Sequence, residues 1–197
     1  DKFGVVSPLD VATRTTDKHF GYESATGVAL ASGEHNANSA AWTAFNKNLG
    51  NIPAAPSGWL EQNSNNFSNV YLQYKFAEPR IVKSLRFSAS NTSSGVTNIN
   101  RTVSRFTVEG SINKGFLWEV IDSSYSAVDY VTGEYQFGAL LVTGSTTAYE
   151  YVRLKITANN GDTSYVGIGE LELNTITPSD YYNVVDGLVY NNAGTVI

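Results

Sequence analysis

Amide, aromatic and charged side chains are concentrated in the stretches of this sequence that are typical of loops. Such groups suit the recognition of a hydroxyl-rich ligand better than covalent chemistry. Asparagine offers paired hydrogen-bond donors and acceptors that match neighbouring hydroxyl groups, and an aromatic ring offers an apolar face to C–H groups. The candidate ligand-binding residues in these loops are Glu34, His35, Trp59, Asn98, Asn100, Asn159, Asn160 and Tyr165. For Trp59, packing in the core is an equal alternative to ligand contact. For His35, the alternative is a solvated loop histidine that contacts no ligand.

Signatures of catalysis are missing from the sequence. It has two histidines, His19 and His35, both in stretches without regular periodicity. The HExxH, GxSxG and phosphate-loop motifs do not occur. Gly167–Gly169 lies inside a predicted strand with no helix after it, so it is not a dinucleotide loop. We therefore expect a protein that is not an enzyme. The alternative is a glycosidase site made of two carboxylates. Its defining distance arises only when the chain folds, so no sequence motif marks it.

The composition narrows the class of protein. The chain has 197 residues, a net charge of −5 and 16% charged residues, below the typical value of about 25%. The negative charge argues against nucleic acid or an anionic membrane as a partner. The absence of cysteine excludes thiolate metal sites and disulfides. No apolar run approaches the roughly 18 residues of a membrane span. Because the chain has no methionine and begins with Asp1, we expect it to be part of a longer protein.

Alternation of apolar and polar residues predicts strands through most of the chain. The segments VYLQYKF, IVKSLRFSAS, VSRFTVEGS and LWEVID all read as strands, and Glu78-Pro79 reads as a turn between the first two. No helix of ordinary length is expected. Short strands separated by turn signals are typical of an all-β sandwich or jelly roll.

The segment from Tyr149 to Leu173 predicts two further strands joined by the polar connection NNGDTSY. Ile168 and Leu171 are both apolar but three residues apart, and strict alternation cannot bury both. We therefore expect a bulge near Gly169, where the missing Cβ makes one inexpensive. The bulge leaves the Glu170 carboxylate near the core boundary, where it needs a partner.

The changes of character along the chain predict three parts: a lead-in over 1–25, a sandwich over 26–175, and a linker with a hairpin over 176–197. The tail contains VVDGLVY, an Asp-Gly pair between β-branched and aromatic residues. That pattern is a strong signal for a hairpin with a type I′ turn. Because an isolated hairpin is marginally stable in water, we expect it to pack on the sandwich, on a following domain or on another copy.

Four local patterns carry a resemblance to a known family. They are AWTAFNKN, WLEQ with YLQYKFAEPRIVKSLRF, RTVSRFTVEGSINKGFLWEVID, and the closing pair ITANNGD and GIGELEL. In this order they resemble discoidin-like domains, also called galactose-binding-like or coagulation-factor C-type domains. With the DYYNVVDGLVYNNAG tail, they look most like the versions found in bacteriophage tail fibre and tail-tip proteins. The resemblance implies a jelly-roll β-sandwich whose ligands bind on loops at one end.

The resemblance also implies a function. Arg101 matches an arginine that reaches the ligand in sugar-binding relatives, with a structural salt bridge as an equal alternative. The expected function is a non-catalytic carbohydrate-binding module that recognises a bacterial surface glycan. Its expected setting is a phage tail, in the virion or outside a cell, beside neighbouring domains of a longer tail protein. A structural docking module that contacts protein, or the binding domain of a secreted glycan-processing enzyme, are the alternatives. The oligomeric state is left open.

A metal site is the last implication of the resemblance. The positions that match a calcium-like site are the Phe45 carbonyl, Asn46, Asn48 and Glu170. Calcium takes six to eight oxygen ligands and prefers carboxylates. Here Asn46 replaces an aspartate, and Lys47 replaces a glycine where a positive φ is expected. We expect no required cofactor, and the resemblance implies a structural calcium ion. In the alternative, Lys47 or a hydrogen-bond network takes the place of the metal and satisfies Glu170.

Overall fold

The computed structural model describes residues 13–14, 18–48, 58–89, 99–123, 137–138, 140–178, 182–185 and 188–191. Strands dominate this part of the chain, which confirms the all-β prediction. The strands are β1 Thr13–Arg14, β2 Glu23–Ser24, β3 Gly27–Ala31, β4 Trp59–Gln62, β5 Val70–Phe87, β6 Val103–Ser111, β7 Glu119–Asp122, β8 Leu141–Val142, β9 Tyr149–Asn159, β10 Tyr165–Ile168, β11 Leu171–Ile176, β12 Tyr182–Val185 and β13 Leu188–Asn191. The helices here are short 3₁₀ turns at Ala37–Ser39, Ala41–Phe45 and Ile99–Arg101, and none could span a membrane.

Strand β5 is the centre of the fold. Its first half pairs with β3 and β9, and its second half pairs with β11 and β8. The main strand order is β1-β11-β5-β9-β6-β7. The predicted turn at Glu78-Pro79 is wrong, because β5 continues through it as one strand of 18 residues. Its pairing with β9 shifts register between Lys75 and Arg80, and an irregular point of this kind accepts a proline that lacks an N–H donor.

The predicted alternation describes the core well. Leu72, Tyr74 and Phe76 of β5 are buried, as are Phe106 of β6 and Leu154 of β9. Neighbouring strands place these side chains on one face, because residues two apart in a strand point the same way. Each large apolar side chain removed from water contributes about 1.5–3 kcal/mol, so this shared face holds the sheet together.

The closing segment differs from its prediction. β9 and β10 do not pair with each other: β9 lies between β5 and β6, whereas β10 pairs with β4. The expected bulge near Gly169 is a change of partner, since β11 resumes at once against β5. Ile168 and Leu171 are both buried, as predicted. The strand leaves one neighbour and joins another at Gly169–Glu170, which is why two residues three apart can both face the core.

Residues before position 26 also pair with strands of the sandwich. β1 pairs with β11 through Thr13 and Thr175, and β2 pairs with β3. His19 is fully buried, and its Nε2 lies 3.0 Å from the Tyr74 hydroxyl. These residues therefore contact the strands and core of the sandwich. Two-residue edge strands and a single buried histidine have no sequence period that could have been recognised.

The C-terminal hairpin prediction is confirmed. β12 and β13 pair antiparallel, with Val184 opposite Val189 and Val185 opposite Leu188. The last pair leaves a two-residue connection between the strands, the loop length that an Asp-Gly pair favours.

Candidate ligand-binding site

Arg101 and Tyr165, predicted from separate loops, lie against each other. Arg101 ends the 3₁₀ turn that leads into β6, and Tyr165 begins β10. The guanidinium carbon lies 4.6 Å from the centroid of the Tyr165 ring. The Arg101 Nε–H donates to Oδ2 of Asp162 over 3.1 Å. Stacking and the ion pair together fix the planar guanidinium at this end of the sandwich.

The loop between β9 and β10 is built around the Asn159 and Asp162 side chains. The Asn159 Nδ2 donates to the carbonyl oxygens of Asp162 and Tyr165, both over 2.7 Å. Asp162 Oδ1 accepts the backbone N–H groups of Ser164 (2.8 Å) and Tyr165 (2.9 Å). Both N–H hydrogens of the Asn159 amide are thus used within the loop. Asn159 therefore positions Tyr165 and does not present its donors to a ligand, in contrast to the prediction.

The environment of Asp162 keeps its carboxyl ionised. Partial burial raises the pKa, but the Ser164 and Tyr165 amides and the Arg101 guanidinium outweigh that effect, and the pKa of Asp162 lies below its usual value. Hydrogen bonds that favour the charged form lower an acid's pKa in this way. The aspartate was not among the predicted residues, although NNGDTSY contains it between turn-forming residues.

The lowered pKa of Asp162 makes a prediction for stability against pH. A carboxyl whose folded pKa is depressed contributes stability above its unfolded pKa, about 3.9, and loses it as the pH falls through the folded value. We expect Asp162→Asn to melt below the wild type at pH 7, with the difference shrinking below about pH 4. Thermal melts of both proteins from pH 2.5 to 7 check this. A difference that stays constant over that range contradicts the assignment.

The loop after β3 brings Glu34 and His35 to the same end. The His35 ring lies edge-on to the Tyr165 ring, with 5.0 Å between centroids. Glu34 is occupied structurally: Oε2 accepts the Tyr22 hydroxyl over 2.6 Å, and Oε1 accepts the Ala41 N–H over 2.7 Å. His35 is exposed beside the arginine and tyrosine pair, whereas Glu34 holds the loop that carries it.

Three further amides bear on the site. Asn100 and Asn160 are exposed. Backbone hydrogen bonds place them at the same end as Arg101: the Asn100 carbonyl accepts the Asp162 N–H (3.1 Å), and the Asn160 N–H donates to the Thr102 carbonyl (3.1 Å). Asn98 lies outside the described residues. Gln62 was not predicted, yet it is exposed and directly opposite Tyr165 in the β4–β10 pair. Opposite residues of antiparallel strands share a face, so Gln62 belongs to this surface.

The prediction that Trp59 contacts ligand is wrong. Its side chain is fully buried in the core, and its Nε1–H donates to the Gly33 carbonyl over 2.8 Å. A ring without exposed area has no face for a ligand. Core packing, the alternative for Trp59, is what the structure shows.

Comparison with known proteins shows the fold. No family model and no curated protein matches the sequence. Among solved structures, the Clostridium perfringens module CpGH89CBM32-5, in complex with GalNAc-β-1,3-galactose, has a TM-score of 0.53, 15% identity, and coverage of 74% of this chain and 92% of its own. An F5/8 type C domain from Bacteroides fragilis has a TM-score of 0.54 and 10% identity, covering 74% and 89%. A fucose-binding module from Streptococcus pneumoniae has a TM-score of 0.52 and 12% identity, covering 76% and 92%.

This chain has the discoidin-like fold. The jelly-roll prediction is thereby confirmed. The expected phage-tail setting stays a prediction, because a likeness at these identities concerns the fold alone.

The calcium-like positions of the discoidin-like sandwich also come together. The Glu170 carboxylate is fully buried, and its Oε1 and Oε2 accept the Lys47 backbone N–H over 3.0 and 3.1 Å. Asn46 Oδ1 accepts the Asn48 N–H over 2.8 Å, and the Phe45 carbonyl accepts the His19 N–H over 3.1 Å. Lys47 has a φ of 58°, the positive value predicted for this position.

These oxygens do not fit a calcium cage as they are arranged. Calcium takes six to eight oxygen ligands, and the described residues hold no cluster of three or more acidic, histidine or cysteine side chains. Glu170 is the only carboxylate of the set, and both of its oxygens accept the Lys47 backbone N–H, a donor where calcium would have to lie. The arrangement favours the alternative in which hydrogen bonds satisfy Glu170.

Calcium is therefore expected to leave the stability of this chain unchanged. A ligand that binds only the native state raises the melting temperature, so melts in 5 mM EDTA and in about 5 mM calcium should agree within about 1 °C. Glu170→Gln is the companion variant, expected to lower stability by about 1–3 kcal/mol because it disturbs a buried acceptor. A rise of several degrees in calcium that Glu170→Gln abolishes would restore the metal site.

Proposed function

We propose that this chain is a non-catalytic carbohydrate-binding module whose ligand lies against Arg101, Tyr165 and His35. The observation that carries the proposal is the guanidinium stacked on the Tyr165 ring, with the His35 ring at its edge. Three segments far apart in sequence converge there. Their groups are those a sugar needs: a fixed cation with several donors, an aromatic ring and surrounding amides.

The chemistry of the site suits neighbouring hydroxyl groups. Within the described residues, the Arg101 Nε–H is bonded to Asp162, and the Nη groups are the donors that remain for a ligand. A planar guanidinium can donate two parallel hydrogen bonds to a pair of oxygens. Asn100, Asn160 and Gln62 are exposed nearby. Solved modules of this fold carry bound galactose or are described as fucose-binding, which supports a sugar as the ligand class.

The biological setting in this proposal is a phage tail or fibre protein that recognises a glycan on a bacterial surface. It acts in the virion or outside a cell, beside other domains of the same protein. The resemblance of GIGELEL and the DYYNVVDGLVYNNAG tail to tail proteins supports this setting, as does the low content of charged residues.

A glycan array tests the proposal, with Tyr165→Ala as the site variant. We expect the wild type to bind one group of bacterial polysaccharides and Tyr165→Ala to bind them about 10-fold more weakly, since an apolar ring face is lost. Tyr151→Ala is the matched control, because Tyr151 lies on β9 in the face of the sheet and packs with Lys75. Absence of binding to every glycan, or equal losses in both variants, contradicts a site at Tyr165.

A second candidate function, docking to protein, is favoured by the tip of the β6–β7 hairpin. Ile112, Phe116 and Leu117 are 62%, 84% and 71% exposed there. This tip follows Ser111, the last residue of β6, whereas Arg101 comes before Val103, the first residue of β6. The length of β6, about 30 Å, therefore separates the tip from Arg101. A neighbouring domain at this tip is therefore compatible with a sugar at the other end. Hydrogen exchange at 112–117 should be slower in the longer parent protein than in this chain if the tip docks.

A further inference from the structure

A second concave surface lies on the side of the fold formed by β2 and the residues around it. It is a shallow cavity of about 940 Å³, and its lining includes Lys18, Phe20, Tyr22, Glu23 and Lys47. We infer that this cavity is a subsite for a sugar residue carrying an anionic substituent, so that the module selects acidic oligosaccharides. The inference rests on the proposed glycan-binding function and extends it to a substrate class.

Phe20 supplies the apolar surface of the cavity. Its side chain is 83% exposed, and the Lys18 ammonium nitrogen lies 5.2 Å from its ring centroid. A large aromatic ring in water beside a concavity is a common feature of ligand sites. The ring can take the C–H face of a sugar while the ammonium group reaches a substituent at its edge.

The charge of the lining is opposite to that of the chain. Lys18 and Lys47 are exposed, and within the described residues neither forms an ion pair. Glu23 is the one carboxylate in the lining, so two positive groups face one negative group in a chain of net charge −5. A local positive patch on an acidic protein attracts an anion at short range without attracting polyanions to the whole surface.

Lys47 is the least expected member of this lining. Its φ of 58° lies in the left-handed region, which glycine adopts without the cost that a side chain incurs. The backbone N–H of Lys47 holds Glu170, and any residue but proline could supply that donor. The lysine side chain itself has no part in that contact, and it lines the cavity.

Glu34 links the cavity to the loop that carries His35. The Tyr22 hydroxyl donates to Glu34 over 2.6 Å, and the next residue, His35, packs against Tyr165. An oligosaccharide of several residues is therefore needed to contact both surfaces. Because both Glu34 oxygens already accept hydrogen bonds, this carboxylate is held in place between the two sites.

The anionic substituent can be a carboxylate or a sulfate ester. A lysine ammonium group acts as a point charge on a flexible stem and does not demand one planar geometry. Both groups share a negative charge with several acceptor oxygens. Matched pairs of oligosaccharides that differ only in that group distinguish the two sources.

Titration calorimetry with the full chain tests the subsite. One arm compares oligogalacturonate with its methyl ester, and the other compares sulfated with unsulfated galactan oligosaccharides. We expect the acidic member of one pair to bind about 10-fold more tightly at low salt, with the preference falling as salt rises. Lys18→Gln combined with Lys47→Gln should remove that preference, and Phe20→Ser should weaken both members of the pair.

Lys114→Gln is the matched control. Lys114 is also exposed and has a φ of 61°, but it lies on the β6–β7 hairpin after the far end of β6. This variant should keep the preference, and melting curves should show that all the variants fold. An equal affinity for acidic and neutral oligosaccharides in the wild type, or a preference that survives loss of both lysines, overturns the subsite. In either case a neutral glycan that needs Arg101 still upholds the proposed function. If no glycan binds, both fail.

Discussion

Replacing Arg101 by alanine is expected to weaken glycan binding by about 10- to 100-fold. A hydrogen bond from a charged donor contributes about 1.5–3 kcal/mol, and each 1.4 kcal/mol changes the dissociation constant tenfold. The variant removes the donors that face the ligand together with the cation stacked on Tyr165. It also leaves Asp162 without its ion pair, so the loop that carries Tyr165 loses one support. Titration calorimetry with the best glycan from the array measures the effect.

Two variants show whether this loss belongs to the position or to the charge. Arg105→Ala removes the same charge from an exposed position on β6 and should leave the affinity unchanged. Arg101→Lys keeps the charge but loses the planar fork, so most of the affinity should still be lost. Wild-type affinity in Arg101→Ala, in a protein that melts normally, would remove Arg101 from the site.

Replacing Gly169 by alanine is expected to destabilise the fold by about 3 kcal/mol or more, the upper range for overpacking a tight site. A Cβ at this position would lie 2.2 Å from the Ala89 carbonyl oxygen and 2.5 Å from the Ser88 hydroxyl oxygen. Ser88 also holds the neighbouring backbone, since its Oγ accepts the Glu170 N–H over 2.8 Å. The backbone must therefore move where β10 ends and β11 begins. Urea denaturation measures the free energy of unfolding.

Gly144→Ala is the control for Gly169→Ala. A Cβ there meets no atom within 4 Å, so its effect should lie within about 0.5 kcal/mol. Similar stability for both variants would mean that the strand can change partners without the close approach seen at Gly169. A selective loss at Gly169 would confirm that this approach holds β11 in its place.

Much of the fold could be predicted because strand formation depends on a local pattern. Leu72 and Tyr74, or Phe106 and Val108, are buried as their alternation indicates. The C-terminal hairpin followed from one Asp-Gly pair. The two-residue strands β1 and β2 could not be predicted, since their pairing with β11 and β3 depends on neighbours far away in sequence.

The candidate site was predicted in part. Arg101, Asn100, Asn160, His35 and Tyr165 do lie at one end of the sandwich. Burial separates Trp59 from them, because a tryptophan in a short apolar strand looks the same in sequence whether it faces core or solvent. Asp162 and Gln62 were not predicted, because each belongs to the site through a contact between distant segments. Asp162 pairs with Arg101, and Gln62 lies opposite Tyr165.

By itself, the sequence determined that this chain is built of strands, which of their faces are apolar, and which loops carry amides and aromatic rings. These properties depend on residues within a few positions of one another. Only the tertiary structure decided that β5 runs unbroken past Pro79, that the chain changes sheet at Gly169, and that Lys47 and Phe20 line one cavity. Each depends on pairing between distant segments, because hydrogen bonds and packing across a sheet select partners that no local pattern names.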